Sequence, residues 1–400
     1  MVATPVVYDP YDYAIDANPH PVWKRLRDEA PVYYNEQHDF YALSRFDDVL
    51  GAHLDPATFS SAHTTVLEMM GPEPSEFMRS LMIFMDPPLH TRYRKLVSRA
   101  FTPRHMSALE PRIRALAGGF LDEFAGAGNG TFDYVDDFGA RLPVMVISAL
   151  LGAPENDEVQ LREWTDAMLH IDPGEIMGAQ AVDIREAVHD YWQAHIDDRR
   201  RHPRDDIMSE LMTADFEDDD GSTRYLTDSE IHAFMGLLSG AGNETVARFL
   251  GWSAVGLDRF PDERRKLAAN PDLIPNAVEE ILRWEAPSPI QGRWVTRAVE
   301  VQGTALAAGS KVALLTGAAN RDERMFADAD RIDVEREIPR HVAFGYGIHF
   351  CLGAALARLE GRIALEETFR RFPTWEVDYD RCEMVHTSTV RGYAKVPICT

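Results

Sequence analysis

The sequence predicts a mainly α-helical protein with a smaller β region, and three features carry that reading. Helical spacing of apolar residues runs almost throughout from residue 107 to 213. A second helical run opens at Thr227 with T-D-S-E, a capping box in which Thr227 and Glu230 satisfy each other's amides, and continues to about Arg259. At ~1.5 Å per residue this helix would be roughly 45 Å long and able to cross a whole domain. Strand-like alternation is confined to VYYNEQHDFYALS, to PIQGRWVTRAVEVQGTALAAGSKVALLTG and to a C-terminal hairpin. Residues 1–400 are read as one domain.

In chain order, NPHPVWKRLRDEA begins with prolines and shows helical spacing through Val22, Trp23 and Leu26. The strand pair that follows leads into a helix, FDDVLGAHLDP, ending near Asp55. Residues 63–88 are irregular and rich in methionine, a residue that suits a surface accepting varied apolar shapes. DPPLHTRYRKLVSRAFTPR then starts a helix carrying His90, Arg92, Arg94, Lys95 and Arg99. LPVMVISALLG reads as a buried helix, DDRRRHPRDD as a solvated helix end and DFEDDDG as an acidic surface loop. NAVEEILRWEAPSP supplies Glu280-x-x-Arg283, whose i, i+3 spacing places both side chains on one helix face. PTWEVDYDRCEMVHTSTVRGYAKVPI closes the chain as a hairpin with Thr387–Val390 near its turn.

Composition narrows the function. A formal net charge of −24 opposes general binding to nucleic acid or to an anionic membrane. No stretch approaches the ~20 apolar residues of a membrane span, and the first twenty residues lack a basic and an apolar segment, so a cytoplasmic protein is expected. Three cysteines, Cys351, Cys382 and Cys399, lack the spacing of a zinc site or a disulfide framework.

Two stretches ask for a chemical explanation. SGAGNETV interrupts the long helix with Gly240 and Gly242, each ~1 kcal/mol less favourable than alanine, and with polar Glu244 and Thr245 among apolar neighbours. FGYGIHFCLG, residues 344–353, precedes another helical run and centres on Cys351. Amides left unpaired at a helix start favour a thiolate there, Gly345, Gly347 and Gly353 permit positive φ, and Phe344 and Phe350 supply an apolar wall. Cys351 alone reads as a buried structural thiol. The whole pattern suits a thiolate held against a large flat partner.

F-G-x-G-x-H-x-C-x-G resembles the haem-binding signature of the cytochrome P-450 family, the haem-thiolate monooxygenases. The resemblance extends over essentially the whole chain and implies the family's fold, with haem b between the long helix and the cysteine helix. It makes Cys351 the metal ligand, with Phe344, His349 and Gly353 around it. His90 and Arg94 match the family's H-x-x-x-R pair for the haem propionates, and Arg293 its third propionate ligand; His341 precedes the cysteine at another position where members place polar groups near them. Ala241, Gly242, Glu244 and Thr245 match A-G-x-[DE]-T, where the helix widens over the haem and the acid and alcohol manage protons for O₂ activation. Glu280 and Arg283 match its E-x-x-R pair, with Arg331 as the expected third member. Residues near Met82, Phe84, Met168–Met177, Leu238, Ala241, Ile290, Thr389 and Val390 are implied around a medium-sized apolar substrate. Electrons would come from NAD(P)H through a ferredoxin, or a flavodoxin, and its reductase, docking on Arg92, Arg94, Lys95, Arg99, Arg104, Arg358 and Arg362; a monomer is expected. A peroxide-driven peroxygenase and a non-catalytic haem sensor are the alternatives, the first disfavoured by Glu244 and Thr245, the second by the Gly-rich helix interior.

Overall fold

The capping box at Thr227 starts the element on which most others pack. In the computed structural model, which describes residues 4–99, 101–125, 130–157, 159–161, 163–164, 179–204, 206–218, 220–385, 387 and 389–400, a helix runs without interruption from Asp228 to Arg259. Thr227 Oγ1 accepts from the Glu230 amide at 3.3 Å, and Glu230 Oε2 accepts from the Thr227 amide at 2.7 Å. Its C-terminal half, Phe249–Leu257, is buried on every side, as a helix in the middle of a large domain must be. Around it pack the buried helix Arg141–Leu151, the π-helical turn Tyr134–Gly139 and the helix Ala354–Arg371 that follows the cysteine. Arg141–Leu151 is the apolar run read as a buried helix, and Gly152 ends it at φ +80°.

The strand-like stretches form a separate sheet. Its order is 32–35, 40–43, 311–315, 290–295, 59–60, with 311–315 parallel to 40–43 and the other pairs antiparallel. Val295, Val312 and Leu314 face a core shared with the helix Phe46–Leu54. The C-terminal hairpin is present, Glu383–Met384 pairing with Tyr393–Lys395. The last strand, Pro397–Cys399, also pairs with Glu376–Val377 and Thr131–Asp133.

Four local readings differ. The predicted basic helix is two pieces, Leu89–Val97 and Pro103–Ala108, the second opened by proline at its first position. Thr131–Asp133, inside the stretch of mostly helical spacing, is a strand, because its partner lies at the far end of the chain. The acidic loop is a short hairpin, Phe216–Glu217 with Thr223–Arg224. In DDRRRHPRDD, Arg199 is buried, donating to Asp206 at 2.8 Å and to the Gly152 carbonyl, so only its neighbours form the solvated helix end.

Burial raises the pKa of Glu230, but hydrogen bonds from Arg224, Tyr93 and Thr227 outweigh it and hold the carboxyl down to about 2, from 4.5. A folded pKa below the unfolded one stabilises the fold above pH 4.5, and that contribution is lost as pH falls towards 2. Glu230→Gln should therefore lower stability at neutral pH by about 1–2 kcal/mol and flatten the acid limb of a urea-denaturation series over that window.

Candidate active site

Four chain segments bring buried cationic and imidazole groups together. The helix Leu89–Val97 places His90 and Arg94 on one face by their i, i+4 spacing. Strand Ile290–Val295 presents Arg293, the cysteine loop presents His349, and the helix Phe46–Leu54 adds His53 at its C-terminal end. The His90 and His349 rings lie 4.3 Å apart. Arg293 Nη2 lies 3.4 Å from His53 Nδ1, and its Nη1 donates to the Gly292 carbonyl at 2.7 Å. Arg94 donates to the Phe350 carbonyl at 2.6 Å.

This cluster lacks acceptors. Both ring nitrogens of His90, Nε2 of His349 and Nε2 of His53 are buried with no hydrogen-bond partner among the described residues. Asp86, whose charge acts on both His90 and Arg293, is spent on the Ser60 hydroxyl at 2.5 Å and the Ser61 amide at 3.0 Å. Burial followed by Arg94 pushes His90 down to about 4, and burial followed by Arg293 pushes His53 down to about 3. For His349, burial comes first, then Arg293, His90, Arg94 and His53, and the ring falls to about 2. Burial pulls even Arg293 down to about 10. Two guanidinium groups and three neutral imidazoles with unpaired nitrogens fit a ligand that carries carboxylates, as haem does through its propionates.

The cysteine loop lies beside this cluster. Gly345 and Gly347 adopt φ of 65° and 67°, and a Cβ on Gly347 would come within 2.5 Å of the His53 carbonyl oxygen, so both conformation and space demand glycine there. Gly353 differs from expectation: its φ is −84°, and a Cβ on it would meet nothing within 4 Å, leaving room beside Cys351. The Cys351 amide donates to the Phe344 carbonyl at 2.9 Å. Burial pushes the thiol up, while the Gly353 amide, Arg94 and Arg358 act to lower it. The Phe344 and Phe350 rings stand 6.1 Å apart, with the Arg358 guanidinium 4.6 Å over Phe344.

On the long helix, Ala241 is exposed although Leu238, Ser239 and Asn243 around it are buried, and Gly240 has nothing within 4 Å of a built Cβ. Gly242, expected at the cofactor, points instead at Ile147, whose side chain would lie 3.2 Å from its Cβ; it permits close helix packing. The expected widening is not seen, since the segment remains α-helical. Thr245 donates to the Ala241 carbonyl at 3.1 Å. Glu244 Oε1 lies 3.5 Å from Arg248, which also donates to the Tyr393 carbonyl at 2.6 Å.

Among the residues expected at a substrate, Met82 and Leu238 share one apolar cluster. Phe84 is buried nearby in sequence, in the 3-10 turn Met82–Phe84. Thr389 accepts from Ser288 two positions before Ile290, while Val390 closes a turn on Thr387. Ile290 itself packs with the N-terminal cluster around Trp23. Met168–Met177 lie outside the described residues.

Glu280 and Arg283 form the anticipated pair, both 0 % exposed and joined by bonds of 2.7 and 2.8 Å. The third member is Arg336, whose Nε donates to Glu280 at 3.1 Å, and not Arg331. Arg331 gives only its carbonyl, to Arg283 at 3.0 Å, because its own guanidinium stacks 5.7 Å over Phe260. His341, expected near the propionates, has both ring nitrogens engaged within the chain. Its Nδ1 accepts from the Ala343 amide, which turns Nε2 towards Glu279 at 3.0 Å. His53 carried no signal in the sequence: it is a histidine in an apolar helix whose partner Arg293 lies 240 residues away.

The loop of Cys351 lies beside this set of donors, and the long helix that carries the acid and the alcohol packs against the helix that follows the cysteine. The family profile described as cytochrome P450 matches residues 62–390. A putative cytochrome P450 123 of Mycobacterium tuberculosis is 39 % identical over 395 residues, covering 98 % of this chain and 96 % of that one. Vitamin D(3) 25-hydroxylase of Pseudonocardia autotrophica is 36 % identical over 388 residues, covering 95 % and 93 %. The structure of a cytochrome P450 from Chondromyces apiculatus superposes with a TM-score of 0.88 at 31 % identity, covering 98 % of each chain. The chain therefore belongs to the cytochrome P450 family and is a haem- and O₂-using monooxygenase. Among the described residues, no helix is long and apolar enough to cross a membrane.

Arg283→Met should cost about 3–5 kcal/mol, since it removes two bonds to a buried carboxylate and the donors to the carbonyls of Asn320, Ala329 and Arg331. Arg331→Gln, on an exposed side chain, should cost under about 1 kcal/mol. Urea midpoints of the purified variants distinguish the two; equal costs would show that the guanidinium of Arg331 matters after all.

Proposed function

We propose that this chain hydroxylates or epoxidises a medium-sized apolar molecule, as a single-domain cytoplasmic monomer supplied with electrons from NAD(P)H by a separate ferredoxin and its reductase. The observation that carries the reading is the packing of the long helix, with Glu244 and Thr245, against the helix that follows Cys351. Haem b held through Cys351 supplies the reduction and cleavage of O₂. His90, Arg94, Arg293 and His349 would hold its carboxylates, and Phe344 and Gly353 would shape the loop around the ligand. Ala241, small and open to space, leaves room above that plane.

Thr245 holds a hydroxyl proton on the pocket wall, with the Ala241 carbonyl as its resting acceptor. Glu244, the next residue, is the carboxylate able to replace that proton from solvent. Its 3.5 Å contact with Arg248 is at the long limit of a hydrogen bond. For the substrate, the joint packing of Met82 with Leu238 and the tie between Thr389 and Ser288 support a largely apolar pocket formed with Phe84, Ile290 and Val390. The relative named for vitamin D(3) supports a molecule of that size and polarity.

The docking surface is narrower than the sequence implied. Arg358 is paired with Glu279, and Arg362 with Glu110 and Glu366, so both are neutralised locally. Lys95 and Arg99 are exposed and make no ion pair among the described residues. We place the main contact with an acidic ferredoxin there.

Thr245→Ala should retain the carbon monoxide band of a thiolate-bound haem but divert most reducing equivalents to peroxide, read as product formed per NAD(P)H consumed. Arg99→Glu should lower the ferredoxin-supported rate about tenfold at low ionic strength and flatten its salt dependence, while peroxide-driven turnover stays unchanged. A rate indifferent to Arg99→Glu would remove this surface from the proposal.

A further inference from the structure

We propose that His53 is an additional propionate-binding residue, donating from Nε2 to a haem carboxylate and tying the helix Phe46–Leu54 to the cysteine loop. The inference rests on the haem reading of the same pocket and extends its set of ligands to an element that the signature motifs do not include.

The tautomer follows from the partner. A guanidinium has donors only, so the 3.4 Å contact between Arg293 Nη2 and His53 Nδ1 requires Nδ1 to be the unprotonated acceptor. A proton on Nδ1 would set two N–H groups against each other. Burial and the charge of Arg293 keep the ring neutral at ordinary pH, so its one proton sits on Nε2. That N–H belongs to a residue only 4 % exposed and has no acceptor among the described residues. A buried donor of this kind calls for an acceptor from outside the chain.

Position identifies the acceptor. The ring carbon Cε1 lies 3.7 Å from where a Cβ on Gly345 would stand, and the His53 carbonyl lies against Gly347. His53 therefore touches the loop that carries Cys351 on the side where Arg293 also arrives. Its charge state is felt by His349, whose own Nε2 is unpaired, and His349 stacks near His90. The orphaned nitrogens of three histidines from three segments thus converge with Arg94 and Arg293. One carboxylate cannot serve them all; the two propionates of a haem provide four acceptor oxygens.

Geometry separates donation from packing. His53→Gln carries an amide N–H at nearly the reach of Nε2, whereas His53→Leu keeps bulk without a donor. His53→Asn is polar but too short, and it serves if the leucine variant does not fold. The haem-loaded proteins are first checked for the thiolate-type band of the reduced carbon monoxide complex, and haem loss is then followed as transfer to excess apomyoglobin. Loss should be about tenfold faster or more for His53→Leu and His53→Asn, and within about twofold of wild type for His53→Gln. Reconstitution with aetiohaem, in which alkyl groups replace the propionates, should abolish the difference between wild type and His53→Leu. A normal band with unchanged loss in the leucine and asparagine variants overturns the role of His53 alone. So does a difference that persists with aetiohaem. Absence of the thiolate-type band in wild type overturns the haem reading and this inference with it.

Discussion

Cations and imidazoles buried without acids set the terms for this molecule. Arg293 is 3 % exposed and His90 2 %, and the one carboxylate that acts on both is committed to a serine hydroxyl and an amide. Each buried polar group lacking a partner costs ~1–3 kcal/mol, so a fold that gathers three histidines with orphaned ring nitrogens around two guanidinium groups gives up stability locally. The segments that deliver them come from the helix Phe46–Leu54, the helix Leu89–Val97, strand Ile290–Val295 and the cysteine loop, so the sheet and the helical body meet at this point.

The cysteine loop is held from the opposite direction by a relay of hydrogen bonds. Arg283, fixed by Glu280, donates to the carbonyls of Asn320, Ala329 and Arg331. The Asn320 side chain accepts from the Val342 amide at 2.8 Å, the Val342 carbonyl accepts from Gly345 at 3.0 Å, and Phe344 accepts from Cys351 at 2.9 Å. A buried ion pair is weak support for stability in general. Here its use is geometric: it organises carbonyls of the 320–331 segment, and through Asn320 it is linked to the loop that carries Cys351.

How much of this could be read in advance depended on sequence distance. The long helix was legible to within a residue, because a capping box and a helical repeat are local signals. The Glu280–Arg283 ion pair was legible because its i, i+3 spacing is a local signal, and the short motifs of His90 with Arg94 and of Cys351 marked segments that the structure brings together. His53 and Arg336 belong to no motif, and their partners lie 240 and 56 residues away. The misplacement of Arg331 and His341 has a similar origin: the segment was right, but which side chain turns inward is decided by Phe260 in one case and by the Ala343 amide in the other. Thr131–Asp133 became a strand only because the last strand needed an edge partner. The charge pattern misled for the same reason, since Glu110, Glu279 and Glu366 come from other segments to neutralise Arg358 and Arg362.

The acid beside Thr245 shows how the two ends of the fold constrain one another. Arg248 reaches Glu244 at 3.5 Å but donates to the Tyr393 carbonyl at 2.6 Å, so its firmer attachment is to the C-terminal hairpin. Gly392 sits against it so closely that a Cβ would come within 2.6 Å of the Arg248 Cβ. The guanidinium is thus positioned by the hairpin and offers the acid only its weaker contact. The same hairpin carries Thr389, held by Ser288, and Val390. The turn and the acid next to Thr245 are therefore tied to one guanidinium, although 145 residues of sequence separate Arg248 from Tyr393.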